Sequence, residues 1–189
     1  MRGVVTLHLV RHGRSAQRPD LASWEWTLTD DAAAGVHRLR DSGVLPAEAR
    51  WTSSTEPKAI ATAALLTSSE VPTSDALREA LRDPEWLDAE RFHELVLASF
   101  DQPDRSVRPG WEPLATTRDR VVEAANEAVD SAAGRDVVLV GHGTAWTMLV
   151  AGLTGEPPDV AAWASMRMPD HCAIEWPGRL SVAWGAWTP

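Results

Sequence analysis

Val4-Val5-Thr6-Leu7-His8-Leu9-Val10-Arg11-His12-Gly13 decides how this chain is read. The run is short and strongly β-prone to Val10, then stops on a cation, an imidazole and a glycine before Arg14-Ser15. A short apolar run closed by glycine predicts a buried strand. In open α/β sheets, ligands bind beyond the carboxyl ends of such strands. A phosphate-handling site suits Arg11 and His12 at that point, and Gly13 lets backbone come close to a ligand. A second histidine has the same setting, in Gly141-His142-Gly143-Thr144 after the apolar run 137–140.

Working outward, strand and helix patterns alternate. Thr29-Asp30-Asp31 offers N-cap and dipole-favourable acids for a helix ending at Ser42-Gly43. Residues 49–52 read as a short strand, Ser53 to Pro57 as the start of an alanine-rich helix to about Ser68, and 71–74 as a short edge strand. Residues 75–112 are the least regular, with Pro84, Pro103 and Pro109 around a predicted helix over 88–100. This stretch is expected to be an insertion that covers the site. Pro113 opens a long helix to about Ala133, the strand 137–140 follows, and a helix is predicted over 144–153. Pro157-Pro158 start another helix, and 171–176 with 180–185 read as a closing hairpin. The alternation predicts the α/β class.

The 189 residues are expected to form one domain over 1–189, large enough to need no disulfide or metal staple. The single Cys172 reads as a small core residue and suits a reducing compartment. No apolar leader precedes the first strand and no apolar window of about 18 residues suggests a span, so a soluble cytoplasmic protein is expected. A net charge of −9 argues against nucleic-acid binding, which needs Lys and Arg against phosphates. A small anionic ligand remains compatible if positive charge gathers in one cleft. Ten Trp and no Tyr remove tyrosine as an acid or base.

A third element is Ser53-Ser54-Thr55-Glu56-Pro57-Lys58-Ala59-Ile60-Ala61-Thr62-Ala63, which puts Lys58 in a first helical turn. Alone, Lys58 reads as a solvated lysine. Together, in this order, the three elements resemble the histidine phosphatase superfamily, the phosphoglycerate mutase-like proteins, over roughly residues 4–155. The family pairs Arg-His-Gly at its first strand with a Ser-Ser-x-x-x-Arg-Ala-x-x-Thr-Ala helix and a later His-Gly. The resemblance implies a single domain with a mixed, mostly parallel sheet flanked by helices on both faces. It also implies phosphoryl transfer through a phosphohistidine, with no metal and no cofactor. Position by position, His12 matches the nucleophile. Arg11, His142 and Gly143 match phosphate-pocket positions, and Lys58 falls on the family's second arginine. Glu79 in Asp75-Ala76-Leu77-Arg78-Glu79 matches the proton-donating acid, with Glu112 in Gly110-Trp111-Glu112 as second choice. Arg14 and Arg18 stand where other members carry Glu or Gln and Asn. With Lys58 they are expected to keep the pocket cationic, Arg18 on the phosphate. Lys in place of Arg exchanges a bidentate fork for a point charge.

These residue types suit the chemistry. A neutral imidazole attacks phosphorus, fixed cations stabilise the equatorial oxygens, and a carboxylic acid protonates the leaving oxygen. The expected enzyme is a phosphatase on a small phosphorylated metabolite. A phosphoglycerate mutase-type phosphotransferase and a phospho-ligand-binding protein without turnover are the alternatives. His8 is expected to be a structural strand residue and His37 to be solvated, while His93 and His171 sit in no motif. No Cys/His cluster or His-Glu-x-x-His has metal-ligand spacing.

Overall fold

The computed structural model describes residues 4–187; Met1–Gly3 and Thr188–Pro189 lie outside it. Six strands form one sheet: β1 (Thr6–Arg11), β2 (Arg50–Ser54), β3 (Thr73–Ser74), β4 (Val137–Gly141), β5 (Asp170–Glu175) and β6 (Arg179–Val182). Their order is β3-β2-β4-β1-β5-β6. The first four strands in that order run parallel, and β5 and β6 return antiparallel as the predicted hairpin. Six helices accompany them: α1 (Ala32–Asp41), α2 (Pro57–Leu66), α3 (Ala89–Asp101), α4 (Leu114–Ser131), α5 (Gly143–Thr154) and α6 (Val160–Ser165).

The period of β4 explains the layering. All of its residues are buried, as expected for a central parallel strand with helices on both faces. Val137 and Leu139 join Leu7, Leu9, Val121, Trp146 and Leu149 on one face. Val138 and Val140 join Val10, Val36, Leu39, Ala59 and Ala63 on the other. Full burial of such a side chain is worth about 1.5–3 kcal/mol, so both faces hold β4 firmly. Cys172 lies in the first of these cores, and burial pushes its thiol well above the ordinary range.

The register brings the strand ends together. Arg11 pairs with Gly141 and Ser53 with Val140, so β2, β4 and β1 finish side by side. The His12 N–H donates to the Gly141 carbonyl at 2.9 Å, extending the β1–β4 ladder past the last strand residue. Beneath this junction, Trp146 Nε1 donates to the Val10 carbonyl at 2.9 Å. A Cβ on Gly141 would stand 2.5 Å from the Trp146 ring, so only glycine allows this packing.

The irregular stretch 75–112 forms α3 and a third apolar cluster. Val96, Phe100, Trp111 and Leu114 pack there against Met148 of α5. Trp86 of this stretch packs on Trp26 of the loop after β1, with ring centroids 6.2 Å apart. His8, as expected, is a buried strand residue, with Nδ1 3.0 Å from Nε2 of His171 on β5.

Candidate active site

His12 follows β1 and is buried. Its Nδ1 donates to the Gly13 carbonyl at 2.7 Å. That bond fixes the tautomer and leaves Nε2 as an unprotonated lone pair. Burial first, then the neighbouring His142 ring and the Lys58 ammonium, hold its pKa well below the ordinary range against the opposing Gly13 bond. The ring is therefore neutral near pH 7.

His142 caps the sheet end next to it, with ring centroids 5.3 Å apart in an edge arrangement. Its Nε2 lies 2.8 Å from Ser54 Oγ at the end of β2 and 3.4 Å from Glu56 Oε1. Burial and the Lys58 charge push its pKa down to about 3, so it too is neutral. The second serine of the 53–63 motif thus holds the second histidine. The motif threonine also acts in the site: Thr62 Oγ1 accepts from the Gly13 N–H at 2.9 Å and donates to the Lys58 carbonyl at 2.7 Å.

Arg11 donates from Nη1 to the Met166 carbonyl, and its Nε is buried without a partner. A Cβ on Gly143 would lie 3.3 Å from that Nε, so glycine here keeps the space beside the guanidinium open. His142 Nδ1 and Arg82 Nε are likewise buried and unpartnered. Polar groups without partners are uncommon inside proteins, and these three lie at or beside the start of α5, Arg11 against Gly143 and Arg82 on Thr144.

Glu79 accepts the backbone N–H groups of Ala80, Thr144 and Ala145, at 2.9, 3.1 and 2.8 Å. Burial pushes its carboxyl up, but Arg82, His142 and these N–H groups outweigh it and bring the pKa to about 2. In the free pocket Glu79 is therefore an ionised group holding the first turn of α5. Glu112, the second choice for the acid, is committed to Arg120 at 2.8 Å and to the Leu81 N–H at 2.9 Å.

Lys58 differs from its reading as a solvated side chain. It is buried, and its ammonium donates to Glu56 Oε2 at 2.5 Å and to the Ser23 carbonyl at 2.6 Å, with Trp26 5.9 Å away. The expectation that Arg14, Arg18 and Lys58 keep the pocket cationic is corrected. The Arg14 and Arg18 side chains are 66% and 57% exposed and paired with Asp31 and Asp20, while Lys58 is neutralised inside by Glu56. The structure therefore brings Arg11, His12, Lys58, Glu79, His142 and Gly143 together and leaves Arg18 at the surface.

Two residues escaped the sequence reading. Glu56 stands two residues before Lys58 in the quoted motif, and that opposite-charge spacing was its only local sign. Arg82 joins the site through Thr144, with Nη2 2.9 Å from Thr144 Oγ1. The aromatic residues that hold it, Phe92 and Trp111, lie later in the same irregular stretch and Thr144 lies on α5, so no local pattern announces it.

The model of the histidine phosphatase superfamily (branch 1) matches residues 7–179. The chain belongs to this superfamily. Solved structures agree on its fold. TTHB049 from Thermus thermophilus is 26% identical, with 95% of this chain and 99% of that one covered and a TM-score of 0.70. YhfR of Bacillus stearothermophilus is 23% identical, with 98% of each chain covered and a TM-score of 0.74. A mycobacterial glucosyl-3-phosphoglycerate phosphatase is 22% identical, with 96% and 99% covered and a TM-score of 0.76. Comparison with curated proteins returns no match. Among the described residues, no helix of this superfamily member is long and apolar enough to cross a membrane.

Proposed function

We propose that this chain is a metal-independent phosphatase that hydrolyses a small phosphorylated metabolite through a phosphohistidine on His12. The observation that carries this reading is the buried His12 ring, whose Nδ1 is held by Gly13 O so that Nε2 is left as a bare nucleophile beside His142. In the first step Nε2 attacks phosphorus and the bond to the leaving oxygen breaks. Arg11 and His142 stabilise the equatorial oxygens, while Lys58, paired with Glu56, holds the wall behind them. The arriving dianion raises the proton affinity of Glu79, which takes up a proton and delivers it to the leaving oxygen. In the second step water loses a proton to the Glu79 carboxylate and attacks phosphorus, the P–N bond breaks, and phosphate leaves. The single buried thiol, Cys172, suits cytoplasmic conditions.

The test is incubation with p-nitrophenyl phosphate. Equal release of nitrophenol and phosphate is expected, and quenching during turnover should trap acid-labile phosphate on His12. Binding without turnover would sink the phosphatase reading. Transfer to added 3-phosphoglycerate in preference to water would make the chain a mutase.

A further inference from the structure

Glu56 is a carboxylate buried among the groups that would hold a phosphoryl group, at a position the family pattern leaves open. It is 5% exposed, and its two oxygens have different partners. Oε2 accepts from the Lys58 ammonium at 2.5 Å. Oε1 accepts the Glu79 N–H at 2.8 Å and lies 3.4 Å from Nε2 of His142. Among the described residues, Glu56 is the one carboxylate in ion-pair contact with that ring. Ser54 decides which nitrogen of His142 carries the proton. Its Oγ accepts the Glu56 N–H at 3.2 Å and lies 2.8 Å from Nε2. Its own proton therefore goes to Nε2, and the ring proton sits on Nδ1, which is buried without a partner. Nε2 thus turns a lone pair toward a carboxylate oxygen as well as toward Ser54. An acceptor facing an acceptor in this way favours a proton between them.

In the free site that proton is kept off. Burial and the Lys58 ammonium hold the ring neutral, Arg11 and Arg120 act in the same direction, and Glu79 opposes them. With Glu56 and His12, these are the charged and titratable groups around the ring. A phosphoryl dianion changes the sum, since an opposite charge within about 4–6 Å favours the charged form of a group. The ring then has an anion beside each nitrogen, phosphoryl oxygen at Nδ1 and Glu56 at Nε2. We infer that Glu56 is a positioning residue for His142, orienting the ring together with Ser54 and serving as its counter-ion, so that the ring takes a second proton from solvent when a phosphoryl group binds. This role rests on the phosphate reading of the site. The proton returns to water when phosphate leaves, and no other bond changes. A hydrogen bond from an imidazolium to phosphate is roughly twice as strong as one from the neutral ring. A carboxylate in an anion site thereby adds to the grip on the anion.

Nitrogen NMR of the intact protein, labelled in its histidine rings, tests this with inorganic phosphate at pH 7.5, where an ordinary imidazole is mostly neutral. His142→Asn identifies the signals. The His142 ring should show one protonated nitrogen in the free wild type and two once phosphate is saturating. In Glu56→Gln it should keep one, with phosphate bound. Calorimetry in two buffers of different ionisation enthalpy should find proton uptake on binding lower by about one proton in Glu56→Gln than in the wild type. Any uptake by Glu79 is common to both proteins and cancels. A Glu56 that only supports the fold would change phosphate affinity and leave the charge of the ring as it is. The inference is overturned by a wild-type ring that stays neutral with phosphate bound, by one already doubly protonated without it, by a doubly protonated ring in Glu56→Gln, or by equal proton uptake in the two proteins. If Glu56→Gln does not fold, Glu56→Gln with Lys58→Gln removes the pair together; a neutral ring with phosphate bound is expected there, and a doubly protonated one overturns the inference. Phosphate that binds the wild type without protonating His142 sinks only this inference, and no phosphate binding sinks the phosphate reading with it.

Discussion

Lys58 and Arg82 are both buried cations of one cleft, and the chain balances them in opposite ways. Lys58 lies against Glu56 and a backbone carbonyl, so its charge is spent inside the protein. Arg82 lies between aromatic rings with a threonine hydroxyl as its one hydrogen-bond partner, and the carboxylates Glu79, Glu56 and Glu112 balance its charge without touching it. The difference shows that pocket charge is not a count of basic residues. Arg14 and Arg18 are paired at the surface, and Arg11, like Arg82, keeps a buried Nε free.

The largest expected effect tests the centre on which both cations act. His12→Ala should lower phosphomonoesterase activity by at least about a thousandfold, since losing a covalent nucleophile costs orders of magnitude. Circular dichroism should remain native, because His12 lies beyond the end of β1 and not in an apolar cluster. Residual turnover above about 1% of wild type would remove His12 from that role and make the contrast of cations irrelevant to catalysis.

The next effect separates the two cations directly. Lys58→Ala leaves Glu56 as a buried carboxylate without its ammonium, and breaking a buried pair this way costs about 3–5 kcal/mol. Chemical denaturation should show that loss, and Lys58→Ala with Glu56→Gln together should recover most of it. Activity of Lys58→Ala should also fall, because Glu56 and the His142 it touches lose their support, while Lys58→Arg should retain it, since the fork keeps a grip on Glu56. Wild-type stability in Lys58→Ala would mean the pair is not formed in solution.

How far this could be read from the sequence follows the same divide. The strand ends were legible because Arg11-His12-Gly13 and Gly141-His142-Gly143 each close an apolar run, and burial of that run dictates where they lie. The helix after β2 was legible from Pro57 at its start, and the hairpin β5–β6 from its paired apolar runs. The balance of charge was not. Whether Lys58 is solvated or buried depends on Glu56, Ser23 and Trp26, which only tertiary structure assembles. Arg82 depends on Thr144, Phe92 and Trp111 in the same way. Glu79 was found by its place in the motif, but the N–H groups that set its charge come from α5, remote in sequence.

A smaller effect concerns acid. Burial, first among the causes, lowers the proton affinity of His8, His12, His142 and His171, the last two to about 3 and about 4. The unfolded chain protonates these rings near pH 6.5, so below that it binds more protons than the fold. Stability present above pH 6.5 is therefore lost as pH falls, by up to about 1.4 kcal/mol per pH unit for each ring. Glu79, held at about 2, adds a further loss below about pH 4.5. Urea midpoints should fall steadily from pH 7 to 5, and His171→Leu should flatten that slope by about one proton, marking the His8–His171 pair as separate from the cleft. A midpoint that does not change with pH would show that the rings are not held neutral.

The smallest expected effect is none. Activity should be unchanged by EDTA, because on the proposed mechanism the protein's own groups meet the charge of the transferring phosphoryl group. Arg11 offers a free Nε, Lys58 and His142 line the same cleft, and Arg82 adds a positive field. Among the described residues, no group of three His, Cys, Asp or Glu side chains is placed to hold a metal ion. The carboxylates nearest the cleft are spent on Lys58 and on backbone N–H groups, so a divalent ion would have to displace contacts that hold α5 and Lys58 in place. Metal-assisted enzymes instead lose their rate on chelation, because the ion supplies the charge or generates the nucleophile. Phosphate release is measured before and after dialysis against EDTA, then with magnesium or zinc restored. A large loss that either metal reverses would show that a bound ion neutralises the phosphate, and the contrast between the directly paired Lys58 and the ring-held Arg82 would then not govern how the substrate is held.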